Sequence, residues 1–260
     1  MNHNAFFAVT FLLLASLAGK GSPAADAGSV IQLPADDRVA IEQSFGPGVL
    51  GQAVPAPMLD DPSRYLDLAP GSRTYRIVGS GAEEIRNERF QWKALDTERG
   101  NPAWRYDAGG GEAGFIEREP DGSFVLTGVQ EADEGALTKY DPPEPFLLKG
   151  LSPGNERRIR MAVRVYNVAQ PSELMHEGSL EVIYRYIGAY RLAVPAGTYD
   201  AVLLKSTFNG KIGPAELQDT QYRFFAPAVG LVAVSEKRDV SALVIYNAHT
   251  RTAKLFSGKP

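Results

Sequence analysis

The sequence predicts an all-β protein, mainly antiparallel, folded as a curved meander sheet or half-open barrel with a short N-terminal helix. Three observations predict it. Residues 178–234 are largely β-branched or aromatic and are cut at intervals by Gly and Pro, a composition that suits pleated strands joined by tight turns. Residues 158–168 alternate cleanly between apolar and polar positions, as a strand with one buried face does. No long segment repeats the helical period.

Residues 5–18 form an apolar stretch too short to span a bilayer comfortably. Small residues follow, and cleavage after residue 18 or residue 27 fits the small-x-small rule. This reads as a secretory signal peptide over 1–27, although residues 1–4 carry no Lys or Arg. The expected location is the periplasm, or the medium after secretion. No cysteine follows the apolar run, because the cysteine count is 0, so a lipid anchor on cysteine is not expected. No later stretch predicts a transmembrane helix. A mature chain of this length buries about 70–75% of its unfolded surface and needs no disulfide staples.

Residues 28–70 read as an arm. Residues 34–45 predict a short helix, with Asp36 and Asp37 in its first turn and Gly46 as its stop. The Pro-rich stretch after it is expected to lie on the domain or to act as a linker. The β domain then runs over 71–260, either as one core or as two halves, 71–150 and 151–260. Expected strands cover 74–78, 88–95, 102–106, 113–119 and 123–129, with a turn at Pro120-Asp121-Gly122. Residues 131–145 are acidic and Pro-rich and read as a loop or crossing. In 158–168, Ile159, Met161, Val163 and Val165 are expected inside, with Arg158, Arg160 and Arg164 in water. Pro195, Ala196 and Gly197 predict a three-residue hairpin turn, Asn209-Gly210 predicts another, and 242–247 and 252–256 are expected to complete the sheet.

The net charge of −4 is spread along the chain, so no nucleic-acid partner is expected. No metal and no cofactor are expected. His176 and His249 are the only histidines after the signal segment, and Leu180 stands where H-E-x-x-H would need its second histidine. Residues 46–51 match G-x-G-x-x-G by letter, but a predicted helix precedes them and prolines follow, the wrong context for a dinucleotide. No G-x-S-x-G elbow is present, and no catalytic residue is assigned.

An aromatic–arginine pair recurs at Tyr75-Arg76, Trp104-Arg105, Tyr184-Arg185, Tyr190-Arg191 and Tyr222-Arg223. Strand neighbours point to opposite faces. One reading is an aromatic core under a soluble surface; the other is an aromatic concave face that holds a ligand. The candidate lining is Tyr184, Tyr186, Tyr190, Tyr222 and Phe224.

The segments Val194-Pro195-Ala196-Gly197-Thr198-Tyr199-Asp200-Ala201 and Phe225-Ala226-Pro227-Ala228-Val229-Gly230-Leu231-Val232 carry a resemblance. The chain resembles uncharacterised exported bacterial β-proteins with a V-P-A-G-T-[FY] hairpin and a later A-P-G-V-G-L-V strand start. It departs at Ala228, where that pattern has glycine. In outline the family is similar to LolA/LolB-like half-barrels, which hold acyl chains on an apolar concave face. The resemblance implies turn positions at Pro195, Gly197, Pro227 and Gly230 and says nothing of a reaction.

These readings converge on a non-enzymatic periplasmic protein that binds or carries an apolar or amphipathic envelope molecule, such as a lipid. One alternative is an envelope assembly or scaffold protein whose arm docks on a protein partner. A second is a hydrolase of envelope polymers, which needs carboxyl groups converging in a cleft.

Overall fold

The computed structural model describes residues 28–259 except 79–85, 97–99, 110 and 243–245. The predicted signal segment therefore lies outside the described residues. Among the described residues the chain begins with helix α1 (Ala35–Phe45), strand β1 (Leu50–Val54) and a 3-10 turn (Pro62–Tyr65). Strands follow in order: β2 (Gly71–Val78), β3 (Arg86–Leu95), β4 (Ala103–Gly109), β5 (Glu112–Arg118), β6 (Phe124–Glu131), β7 (Ala136–Leu147), β8 (Glu156–Asn167), β9 (Leu174–Val194), β10 (Gly197–Ile212), β11 (Ala215–Ala226), β12 (Gly230–Ala242) and β13 (Tyr246–Gly258).

Each strand from β2 to β13 pairs antiparallel with its sequence neighbour, and β13 pairs back onto β2. The sheet is therefore a closed up-and-down barrel of twelve strands among the described residues. The all-β meander with one short helix is as expected, but the half-open form gives way to closure. Closure leaves no free edge along the ring. Residues 71–150 and 151–258 contribute to the same barrel wall.

The long strand β9 serves two partners. Residues 174–185 pair with β8, and residues 189–192 pair with β1. The arm thus begins where β8 leaves off. From there it runs across one end of the barrel. Leu59 exchanges backbone hydrogen bonds with Gly150 and Leu151, and Arg64 accepts one from Ala228. Ala56, Leu59, Tyr65 and Leu66 pack with Leu147, Leu151, Tyr186 and Phe225 in one apolar cluster. The expected docking arm is occupied with its own barrel. Burying these side chains contributes roughly 1.5–3 kcal/mol for each large one.

Helix α1 lies on the outer wall. Asp37, Ile41 and Phe45 are its buried residues, one stripe at i, i+4, i+8. Phe45 meets Phe224 edge-on at 6.0 Å, and the Asp37 carboxylate accepts hydrogen bonds from the Tyr222 hydroxyl at 2.7 Å and Lys205 at 2.6 Å. Gly46, at φ 86, ends the helix.

Four local expectations are corrected. Residues 136–147 form a strand and not a crossing; Pro142 and Pro143 fall where the β6–β7 register shifts, so no ladder N–H is lost there. Asn209 and Gly210 sit inside β10, opposite Glu181 and Leu180, and the turn comes at Gly213-Pro214. Gly210 is needed for close approach, since a Cβ there would lie 2.1 Å from the Ser179 carbonyl oxygen. The β9–β10 turn tightens to two residues, Pro195 and Ala196. Of the two final strands expected at 242–247 and 252–256, Tyr246, Asn247 and 252–256 share one strand, β13, while Ala242 ends β12 and 243–245 lie outside the described residues.

Candidate functional site: the barrel lumen

Register decides which side chains enter the barrel. Tyr184 on β9 lies opposite Ser206 on β10, which lies opposite Gln221 on β11. The odd positions of β11 therefore point inward and the even positions outward. A bulge at Ile187 shifts the β9 register, so Ala189 continues the inner face and Tyr190 falls on the outer one.

This places the five candidate aromatics. Tyr184 and Tyr186 point inward but are fully buried in the packed, arm-plugged end, where their hydroxyls bond the Phe146 and Pro57 carbonyls. Tyr190, Tyr222 and Phe224 point outward by register and cluster with Ile41 and Phe45 of α1. The wall separates the two groups, and none of the five is among the residues that line the cavity.

The cavity occupies the lumen beyond the plug, with a volume of about 290 Å³. It runs from Asp67 and Gly230 at the arm end toward Ile212, Ala215 and Val240 at the other. Inward side chains at that second end, such as Ile212 and Leu217, are half-buried, whereas Phe225 near the plug is fully buried. Its aromatic wall comes from β2, β3 and β4: Tyr75 lies 4.5 Å from Phe90, Phe90 stacks on Tyr106 at 6.3 Å, and Trp92 lies 5.5 Å from Tyr106.

The outward face is the opposite in character. Arg158, Arg160, Arg164 and Glu181 are exposed there. A barrel that spans a bilayer carries an apolar band outside, and the exposed charges on β8 and β9 interrupt any such band there. No helix among the described residues is long and apolar enough to cross a membrane.

Charges stand inside the apolar lumen in pairs. Arg223 donates to Glu144 at 2.7 Å, and both are nearly inaccessible. Burial raises the Glu144 carboxyl despite that partner. Arg238 meets Glu236 at 2.6 Å and Glu131 at 3.5 Å. Burial, and then the Glu236 charge, push the Asp219 carboxyl up to about 8. At the arm end Arg73 pairs with Asp67 at 2.7 Å. Burial works against the charge on Asp67, but Lys259 and Arg73 outweigh it and hold the carboxyl below its ordinary value. Among the described residues no group of acids and histidines is arranged to hold a metal ion.

The recurring aromatic–arginine pair is not one device. At Tyr75-Arg76 the ring enters the lumen, whereas at Tyr222-Arg223 the ring goes out under α1 and the guanidinium goes in. Arg223 and Arg73, the arginines with most consequence for the lumen, were not among the sequence candidates. The β11 register that turns Arg223 inward is not written in β11 alone.

No protein-family model matches this chain, and no curated protein matches it. Two solved structures resemble it in outline. A lipoprotein candidate from Parabacteroides distasonis aligns at TM-score 0.42 and 12% identity, over 75% of this chain and 98% of that one. A candidate exported protein with a YmcC-like fold from Bacteroides fragilis aligns at 0.43 and 11%, over 74% and 97%. At this level the likeness carries nothing about function.

Proposed function

We propose that the barrel is a non-enzymatic binding or carrier protein for an apolar or amphipathic molecule of the cell envelope, acting outside the cytoplasm after export. The observation that supports this reading is the lumen itself, a cavity walled by strands from nearly the whole ring, with an aromatic and aliphatic lining interrupted by nine charged side chains. Ligand cavities have this make-up, and barrels of this size have room for them. The exposed charges on the outer face of β8 and β9 suit a barrel that meets water outside.

Trp92 faces the cavity and supplies the test. In Trp104→Phe, which leaves Trp92 as the sole tryptophan, N-phenylnaphthylamine should bind saturably and quench Trp92 by energy transfer. Adding Val234→Trp fills the lumen, and the emission of N-phenylnaphthylamine itself should then show binding abolished while the thermal transition persists. Undiminished binding in the filled barrel would place the probe elsewhere and count against the reading.

Converging carboxyl groups favour polymer hydrolysis as the second reading, since Asp219 lies close enough to Glu236 for that charge to help raise its carboxyl. Against it, Arg238 engages both, and the arm blocks one end of the lumen, so a polymer cannot thread through. Activity lost in both Asp219→Asn and Glu236→Gln, on envelope polysaccharide or peptidoglycan, would promote it over the carrier.

A further inference from the structure

Two buried guanidiniums line the cavity with donors to spare. Arg73 is 4% exposed; its Nη2 serves the Asp67 carboxylate and carbonyl, while Nε and Nη1 are buried without a partner. Arg223 serves Glu144 and Gln221 through Nη2 and keeps a buried, unpartnered Nη1. A buried donor left without an acceptor is costly, so it marks a place where an acceptor is wanted.

The charge around the two differs. At the arm end Arg73 and Lys259 share one carboxylate, Asp67, which leaves a positive excess. Apolar Leu66, Phe90 and Leu231 line the cavity beside it. Arg223 is balanced by Glu144, and the far half of the lumen holds Glu112, Glu131 and Glu236 against Arg238 and Lys254. An anion is therefore favoured at Arg73 and disfavoured toward the other end. The planar guanidinium fork also suits an oxyanion better than an ammonium does.

On the footing of the carrier reading, we infer that the ligand is a single-chain amphipath with an acid headgroup, a carboxylate or phosphate monoester. The free N–H donors of Arg73 hold the headgroup, and the chain lies along the aromatic wall of Tyr75, Phe90, Trp92 and Tyr106. One chain is the capacity that a cavity of about 290 Å³ suggests.

The test is displacement of N-phenylnaphthylamine from the full chain by decanoate, decyl phosphate, decanol, decyltrimethylammonium and acetate. The two acids should displace it at concentrations about tenfold or more below decanol, the ammonium should be weakest, and acetate should have no effect. In Arg73→Met the acids should lose that advantage while decanol is unchanged. Decanol equal to decanoate on the unmodified chain would overturn the acid headgroup and leave the carrier intact. An acid advantage that survives Arg73→Met would overturn the role of Arg73. Displacement by acetate would mean a free-anion site. Failure of every chain to displace the probe would sink the carrier reading itself. The series on the unmodified chain decides the headgroup even if the variant does not fold.

Discussion

Arg223 and Glu144 meet at 2.7 Å inside the barrel, each less than 10% exposed, joining β11 to β7 across the lumen. The strands are not neighbours in the sheet, so the pair is a strut between opposite parts of the wall. A buried pair of this kind offsets a large desolvation cost, and breaking it costs more than never having had it.

Arg223→Met and Glu144→Gln alone should each therefore destabilise the barrel by about 3–5 kcal/mol. The double replacement should recover most of that loss. Urea unfolding of the four proteins in a double-mutant cycle measures the coupling. Additive losses would mean that the strut carries no coupling.

Asp37 ties α1 to the wall through Tyr222 and Lys205. Asp37→Ala leaves a buried hydroxyl without its acceptor and should cost about 1–3 kcal/mol. Hydrogen exchange should show residues 35–45 opening ahead of the barrel strands. Unchanged protection there would refute the tie.

Ala228 is the one non-glycine with positive φ among the described residues, at 61°. Alanine in that left-handed region costs about 1–2 kcal/mol, and glycine gives back about 0.5–1 through the entropy of the unfolded chain. Ala228→Gly should raise the thermal midpoint slightly, by up to about 1 kcal/mol of stability. A lower midpoint would show that the turn between Ala226 and Gly230 is held by something other than backbone preference.

The Asp219 carboxyl, pushed up to about 8 by burial and by Glu236, keeps a proton that the unfolded chain has released. Its contribution to stability is full below about pH 4 and is lost as pH rises through about 8. Asp219→Asn should flatten the pH profile of the thermal midpoint across that window and raise the midpoint at its alkaline end. A profile unchanged by the substitution would remove Asp219 as its cause.

Much of the fold was legible because strand signals are local. The alternation of 158–168 gave β8 its buried Met161 and Val163 and its exposed arginines, and Pro120-Asp121-Gly122 sat at a turn as read. What local signals cannot carry is register. Tyr184 and Tyr222 each kept parity within a strand, yet the pairing through Ser206 and Gln221 put them on opposite sides of the wall. Closure was hidden for the same reason, since β13 and β2 stand at opposite ends of the β domain's sequence. Asn209-Gly210 looked like a turn because close strand approach and turn formation both call for glycine.

The most direct measurement is native mass spectrometry of the chain taken gently from the envelope of the cells that make it, followed by organic extraction. The account predicts a mass above that of the bare chain, released as an acid-headed lipid and missing from Val234→Trp. A bare mass with nothing extractable, from a barrel that also fails to bind N-phenylnaphthylamine, would contradict the claim that the lumen exists to hold a ligand.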